Sequence, residues 1–335
     1  MDNPTIQDVA REARVSTATV SRALSAPDRV SEPTRRRVYD AVERTGYAVN
    51  QTARNLRRRR TGAIVVLVPN IGNPFFSRIL AGIETAASRA GYTVLICDSR
   101  QPEEGGQRLA EYVRANRADG LISLDGSLPR GLLEEGGNGR RPASVFTCEW
   151  NEASRLPSVR FDNAGGAELA VGHLAALGHR SIGHVLGPLE NVLTKARFDG
   201  YAQALAKRGL DLRREWVFGG DFSLDAGAAA AAGWLALADR PTAMFCANDE
   251  MACGFISELH RRGHSVPRDV SVVGFDDIDI AARFIPALTT IRQPRSEIGE
   301  AAFATLLARI DGDKGTDGPT LLPAQLIVRE STRAA

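Results

Sequence analysis

From Ala63 onward the chain repeats one pattern: a short apolar run rich in β-branched residues, closed by Pro, Asp or Gly, then a stretch with helical spacing. The runs read AIVVLVP, YTVLICD, GLISLD, SVFTCE, IGHVLG, TAMFCAND and SVVGFDD. A short apolar run of this kind is a strand buried on both faces, and most of the gaps, roughly 12–20 residues, have the length of a crossover helix. Strand and helix in alternation close as a parallel sheet. About eight such units over some 270 residues imply two doubly wound subdomains with a cleft at the strand carboxyl ends. Whatever the first sixty residues form stands in front of this α/β core.

Charge separates those sixty residues from the rest. Residues 1–60 hold thirteen arginines and no lysine against seven acids, while the remainder of the chain is net acidic. Five of the arginines fall within RNLRRRR, residues 54–60. A basic end on a mildly acidic body suits a nucleic-acid-binding head; a solvated basic tail is the alternative that charge alone leaves open.

Periodicity favours the head. In TIQDVAREAR, Thr5 and Asp8 have capping-box spacing, and Ile6, Val9, Ala10 and Ala13 share one helical face. After a tight turn at Val15, Ser16 opens a second helix that turns Val20, Ala23 and Leu24 inward and leaves Thr17, Ala18, Ser21 and Arg22 outside. A third helix, opened by Ser31 and closed by Gly46, adds Val38, Ala41 and Val42. Three helices too short to stand alone share one small core in a helix-turn-helix arrangement. On the recognition reading the outer face of the second helix enters the major groove, where Arg22 is able to pair bidentately with guanine; a small helical bundle that solubilises or dimerises is the alternative the pattern alone leaves open.

The stretch TIQDVAREARVSTATVSRALSAPDRVSEPTRRRV, followed by GY and ARNLR, resembles the head of the lactose/galactose-repressor family of bacterial transcription regulators. The resemblance implies DNA contacts from Thr5, Ser16, Thr17, Ala18, Thr19, Ser21 and Arg22. It also implies a hinge helix over 50–58 that orders on operator DNA, capped by Asn50, with Ala53, Leu56 and the Arg54 stem as its apolar face, Leu56 wedged into a base step of the minor groove, and Arg57 to Arg60 facing phosphate. Two departures stand out: Arg14 occupies a turn position where the family often has glycine, and Val49 replaces a frequent proline. The organisation expected is a helix-turn-helix domain over 1–48, a hinge and basic linker over 49–60, and a core over 61–335. The core would divide into one subdomain at about 61–161 and 291–318 and another at about 162–290 and 319–332, with crossings near Phe161, Thr290 and Gly318.

The resemblance continues through NPFFSRILAGIE, GDFSLDAG, PTAMFCANDEMACG, VPRDVSVVGFDDIDIA and PALTTIRQPRSEIG, which look like the family's ligand-binding core, itself similar to periplasmic sugar-binding proteins. It implies an effector held by Phe75 and Phe76, by Glu149 and Trp150, by Arg197 and Phe222, and by the polar pair Asn248 and Asp276. Acids and amides at strand ends hydrogen-bond hydroxyls, and Trp or Phe stacks on a base or on the C–H face of a sugar. The arginine and threonine with which some members hold a purine base correspond here to Asn191 and Leu193, which disfavours a purine. A nucleoside or a monosaccharide (or small glycoside) remains as effector, and induction and corepression are both open.

The partners implied are palindromic operator DNA, a small effector and a second copy of the chain, with no membrane. No GxGxxG follows the first strand, GPLENV is not a phosphate loop, and the five histidines show no metal spacing, so neither cofactor, metal nor catalytic residues are expected. Cys97, Cys148, Cys246 and Cys253 lack CxxC spacing and read as small buried apolar residues. The opening MDNPTIQDVA has no apolar signal segment, so a cytoplasmic location is expected.

Overall fold

The computed structural model describes residues 4–47, 60–99, 117–127, 142–313 and 318–335. The chain divides into two units, 1–62 and 63–335.

In the first unit, α1 (Ile6–Ala13), α2 (Thr17–Ser25) and α3 (Glu32–Thr45) follow one another closely. The Asp8 carboxylate accepts the Thr5 backbone N–H at 2.9 Å and its hydroxyl at 2.7 Å, which closes the first turn of α1. The Ser16 hydroxyl accepts the Thr19 N–H at 3.1 Å and so caps α2. Between these helices the chain turns on Arg14 at φ 52°, a left-handed conformation that side chains resist. Val9, Ala10, Ala13, Val20, Ala23, Val38 and Ala41 meet in one buried cluster that no single helix could make.

The second unit is built on two parallel sheets. The first contains β1 (Ala63–Val68), β2 (Thr93–Asp98), β3 (Gly120–Ser123), β4 (Ala143–Thr147), β5 (Ser158–Phe161) and β11 (Pro319–Leu322), in the order β11-β5-β4-β3-β1-β2. Helices α4 (Phe75–Arg89) and α9 (Arg295–Ile310) pack on it and on each other. The second sheet contains β6 (Ile182–Val185), β7 (Val217–Phe218), β8 (Ala243–Cys246) and β9 (Ser271–Val273), in the order β7-β6-β8-β9. Its helices pair as α5 (Asn163–Ala176) with α6 (Val192–Lys207), and α7 (Leu224–Ala236) with α8 (Asp249–Arg261). A two-stranded antiparallel ribbon joins β10 (Thr290–Arg292) to β12 (Gln325–Ile327).

The chain leaves the first sheet after Phe161, returns before Arg295 and leaves again after Leu322. This last passage corrects the crossing expected near Gly318. Pro319–Leu322 pairs in register with Ser158–Phe161, so these four residues extend the first sheet instead of opening the second layer. Among the described residues no helix is long and apolar enough to cross a membrane.

Candidate functional site

In each sheet the strand order reverses beside one strand, β1 between β2 and β3, and β6 between β7 and β8. At such a reversal the connections leave in opposite directions and open a crevice at the strand carboxyl ends. Asp125 follows β3, Glu149 follows β4, Asn191 follows β6, Asn248 follows β8 and Asp276 follows β9. Two of these also cap helices: Asn191 Oδ1 accepts the Leu193 N–H at 2.8 Å, and Asn248 Oδ1 accepts the Met251 N–H at 2.9 Å. Capping fixes each side chain and turns its amide N–H groups away from the helix.

Arg197, on α6, is the centre of the second-layer cluster and is 2% exposed. Its Nε donates to Asn163 Oδ1 at 2.9 Å and its Nη1 to the Ala247 carbonyl at 2.5 Å. The guanidinium lies 3.9 Å from the Phe275 ring centre and 6.0 Å from that of Phe222. Its Nη2 stands 3.7 Å from Asp276 Oδ1, which also accepts from Gln293 Nε2 at 2.7 Å. Burial pushes the Asp276 carboxyl up to about 6, against the pull of Arg197 and Arg295. Neighbouring Asp249, wholly buried, accepts the Ile278 N–H at 2.9 Å and the Thr290 hydroxyl at 2.5 Å, and burial raises it well above the carboxylate range. Asn248 Nδ2 donates to the Phe222 carbonyl at 2.9 Å, which ties that aromatic to the same cluster.

Glu149 joins the two layers. Its Oε2 accepts the Gly126 N–H at 3.0 Å, and its Oε1 accepts Asn191 Nδ2 at 2.7 Å. Burial raises its carboxyl, opposed by those two hydrogen bonds. Trp150 is half-buried, with the Arg160 guanidinium 4.3 Å from its ring centre, so one indole face is already covered. Phe75 and Phe76 open α4 and pack edge to face at 5.1 Å within a core cluster that draws on both sheets. A second link between the layers is Arg295, which donates to the Asp277 carbonyl at 2.9 Å and to the Phe75 carbonyl at 3.3 Å.

The structure therefore brings Arg197, Phe222, Asn248 and Asp276 into one contact network and places Glu149 across from it on Asn191. Phe75 is reached through Arg295; Phe76 and Trp150 stand at its margin. Cys148, Phe222, Asp276 and Asp277 all have positive φ. Strain of this kind persists where surrounding contacts over-determine the backbone, and it collects at ligand sites. Sequence reasoning missed Asn163, Gln293 and Arg295. The first two follow a strand end closely, a signal available in the sequence; Arg295 is one arginine among many and had none.

In the first unit, Thr5, Ser16, Thr17, Ala18, Ser21 and Arg22 are exposed, and Thr19 is half-buried with its hydroxyl 2.9 Å from that of Ser16. Residues Asn50, Ala53, Arg54, Leu56 and Arg57 lie outside the described residues.

Two family models match: bacterial regulatory proteins, lacI family, over residues 5–50, and a periplasmic binding protein-like domain over residues 171–332. The core motifs quoted above resemble those of a cytidine repressor. The chain is 41% identical to the HTH-type transcriptional repressor CytR of Escherichia coli (strain K12) over 331 residues, 98% of this chain and 96% of that protein. Among solved structures, the lac repressor dimer bound to operator and the anti-inducer ONPF is similar with a TM-score of 0.78 and 30% identity, covering 99% of this chain and all of that one. A LacI family regulator from Enterococcus faecium with bound ribose is similar with a TM-score of 0.74 and 30% identity, covering 82% of this chain and 99% of that one.

Proposed function

The chain belongs to the lacI family of bacterial regulatory proteins, and from that premise we propose that it is a transcriptional repressor whose operator affinity is set by a nucleoside held between its two core sheets. DNA binding through a helix-turn-helix head and response to a small ligand are general to the family, whose repressors act as dimers. The exposed residues at the start of α2, Arg22 included, would read base edges, and paired hinge helices would bend the operator. The organisation proposed is a head to about residue 48, a hinge to about 60 and an effector-binding, dimerising core beyond. Such a regulator works in the cytoplasm.

One observation carries the choice of effector: the 2.7 Å hydrogen bond between Glu149 and Asn191, set apart from the Arg197–Asp276–Asn248 cluster. Two sets suit a bipartite ligand, in which Arg197, Asp276 and Asn248 hold ribose hydroxyls while Glu149 accepts from, and Asn191 donates to, the polar edge of a base. Asn191 and Leu193 stand where the family resemblance would put an arginine and a threonine against a purine, so a pyrimidine is preferred. The ribose-bound relative favours a second reading, a monosaccharide effector.

A thermal-shift screen of the full chain against nucleosides, free bases and monosaccharides tests the choice. A ligand at about a hundred times its Kd stabilises by roughly 2.7 kcal/mol. Pyrimidine nucleosides are expected to raise Tm and free sugars to leave it unchanged; the reverse pattern would establish the sugar reading.

A further inference from the structure

Four buried side-chain atoms among the described residues have no hydrogen-bond partner: Thr147 Oγ1, His184 Nε2, Thr194 Oγ1 and Arg309 Nε. Thr147 and His184 lie within β4 and β6, and Arg309 lies in the last turn of α9. Thr194 differs, because it sits in the first turn of α6, one helical turn before Arg197 and on the same face.

A helical threonine ordinarily returns its hydroxyl to the carbonyl four residues back. Thr45 does so onto Ala41 at 2.7 Å and Thr305 onto Ala301 at 2.8 Å. Thr194 comes too early in its helix for that arrangement: the residue three back is the cap Asn191, and the residue four back, Glu190, precedes the helix. Thr194 is 2% exposed, and its unpartnered hydroxyl points elsewhere.

Gly187 shows where. A Cβ added to Gly187, which follows β6, would come within 2.6 Å of Thr194 Oγ1 and 2.2 Å of Phe222 Cζ. The orphaned hydroxyl and the rim of the Phe222 ring are therefore packed together on Gly187, and only glycine there allows both so close an approach. Phe222 is itself pinned, with φ 69° and its carbonyl held by Asn248.

We infer that Thr194 is a specificity-determining residue of the effector cleft, its hydroxyl completing a hydrogen bond to the polar edge of a base that lies against Phe222. The inference rests on the nucleoside reading above. A hydroxyl is both donor and acceptor, so Thr194 accommodates a ring nitrogen, a carbonyl or an amino group in the base plane. The ribose remains with Arg197 and Asp276.

The test compares the affinities of cytidine, uridine, adenosine and guanosine for the full-length protein and for its Thr194→Val and Thr194→Ser variants. These four ligands share one ribose and differ in their base edges. Thr194→Val, which keeps the shape and removes the hydroxyl, is expected to change the ratio between the best and the other nucleosides by about tenfold. Thr194→Ser should preserve the ratio. Unchanged ratios with unchanged affinities would overturn the inference, and an equal loss for all four would place Thr194 on the ribose and overturn it as a reader of the base. If the unaltered protein binds none of the four while binding a sugar, the nucleoside reading itself falls, an outcome distinct from either of these.

Discussion

Arg197 and Asp276 face each other at 3.7 Å, each more than nine-tenths buried, one from α6 and the other from the turn after β9. Removing one member of such a pair leaves the other charge without compensation in the interior. Arg197→Ala is expected to destabilise the core by about 3 kcal/mol and to abolish effector binding. Urea denaturation of the full chain, with the midpoint compared at constant slope, measures the first effect.

An effector held by Asp276, as proposed above, should bind with a pH dependence. The Asp276 carboxyl, raised to about 6 by burial, is largely protonated at about pH 5 and ionised at about pH 7. Only the ionised form accepts two ligand hydroxyls, so effector affinity rises with pH through this window, by about tenfold from pH 5 to 7. Glu149, shifted in the same direction, adds to the trend. Isothermal titration at three pH values reads the slope, and a flat profile would show that the ligand does not meet Asp276.

His184 gives the core an acid-labile element. It is fully buried, stacks on Phe245 with ring centres 4.6 Å apart, and is pulled down to about 4 by burial. The folded ring stays neutral while the unfolded ring protonates near its ordinary value of 6.5. Stability is therefore intact above that value and falls as pH drops through the window to about 4, by up to about 3 kcal/mol. Asp276 contributes with the opposite sign over part of the same range. The difference in Tm between the unaltered protein and His184→Phe, followed from pH 7 to 4, isolates the histidine, and it should change steadily across the window.

Much of this site was legible in the sequence because parallel-sheet proteins place function at strand ends, and strand ends are marked by a polar residue after an apolar run. Glu149, Asn248 and Asp276 all follow that rule. The helix-turn-helix head was legible for a different reason: caps such as Ser16 and Gly46 punctuate the apolar spacing. Pairing was less visible. The passage after Leu322 depends on a short, mostly exposed edge strand between Gly318 and Pro323 that periodicity does not mark, and β7 is two residues long. The bridge from Arg295 to Phe75 joins residues more than two hundred positions apart, and no local pattern announces it.

Arg14 shows a local rule broken. Its φ of 52° is a conformation that costs a side chain about 1 kcal/mol and glycine little. Arg14→Gly should raise the stability of the head by up to that amount, read as a higher Tm of the first unit. An unchanged or lower Tm would mean that contacts of the arginine outweigh its backbone strain.

Control of DNA affinity by a nucleoside in the cleft is tested most directly by operator binding itself. A duplex selected from random DNA by the full-length protein is titrated by fluorescence anisotropy at fixed salt, with and without saturating pyrimidine nucleoside. The predicted result is a change in operator Kd of at least about fivefold, absent in Asp276→Asn, whose ligand-free operator affinity stays as it was. Operator affinity that ignores every nucleoside and responds to a monosaccharide would contradict it.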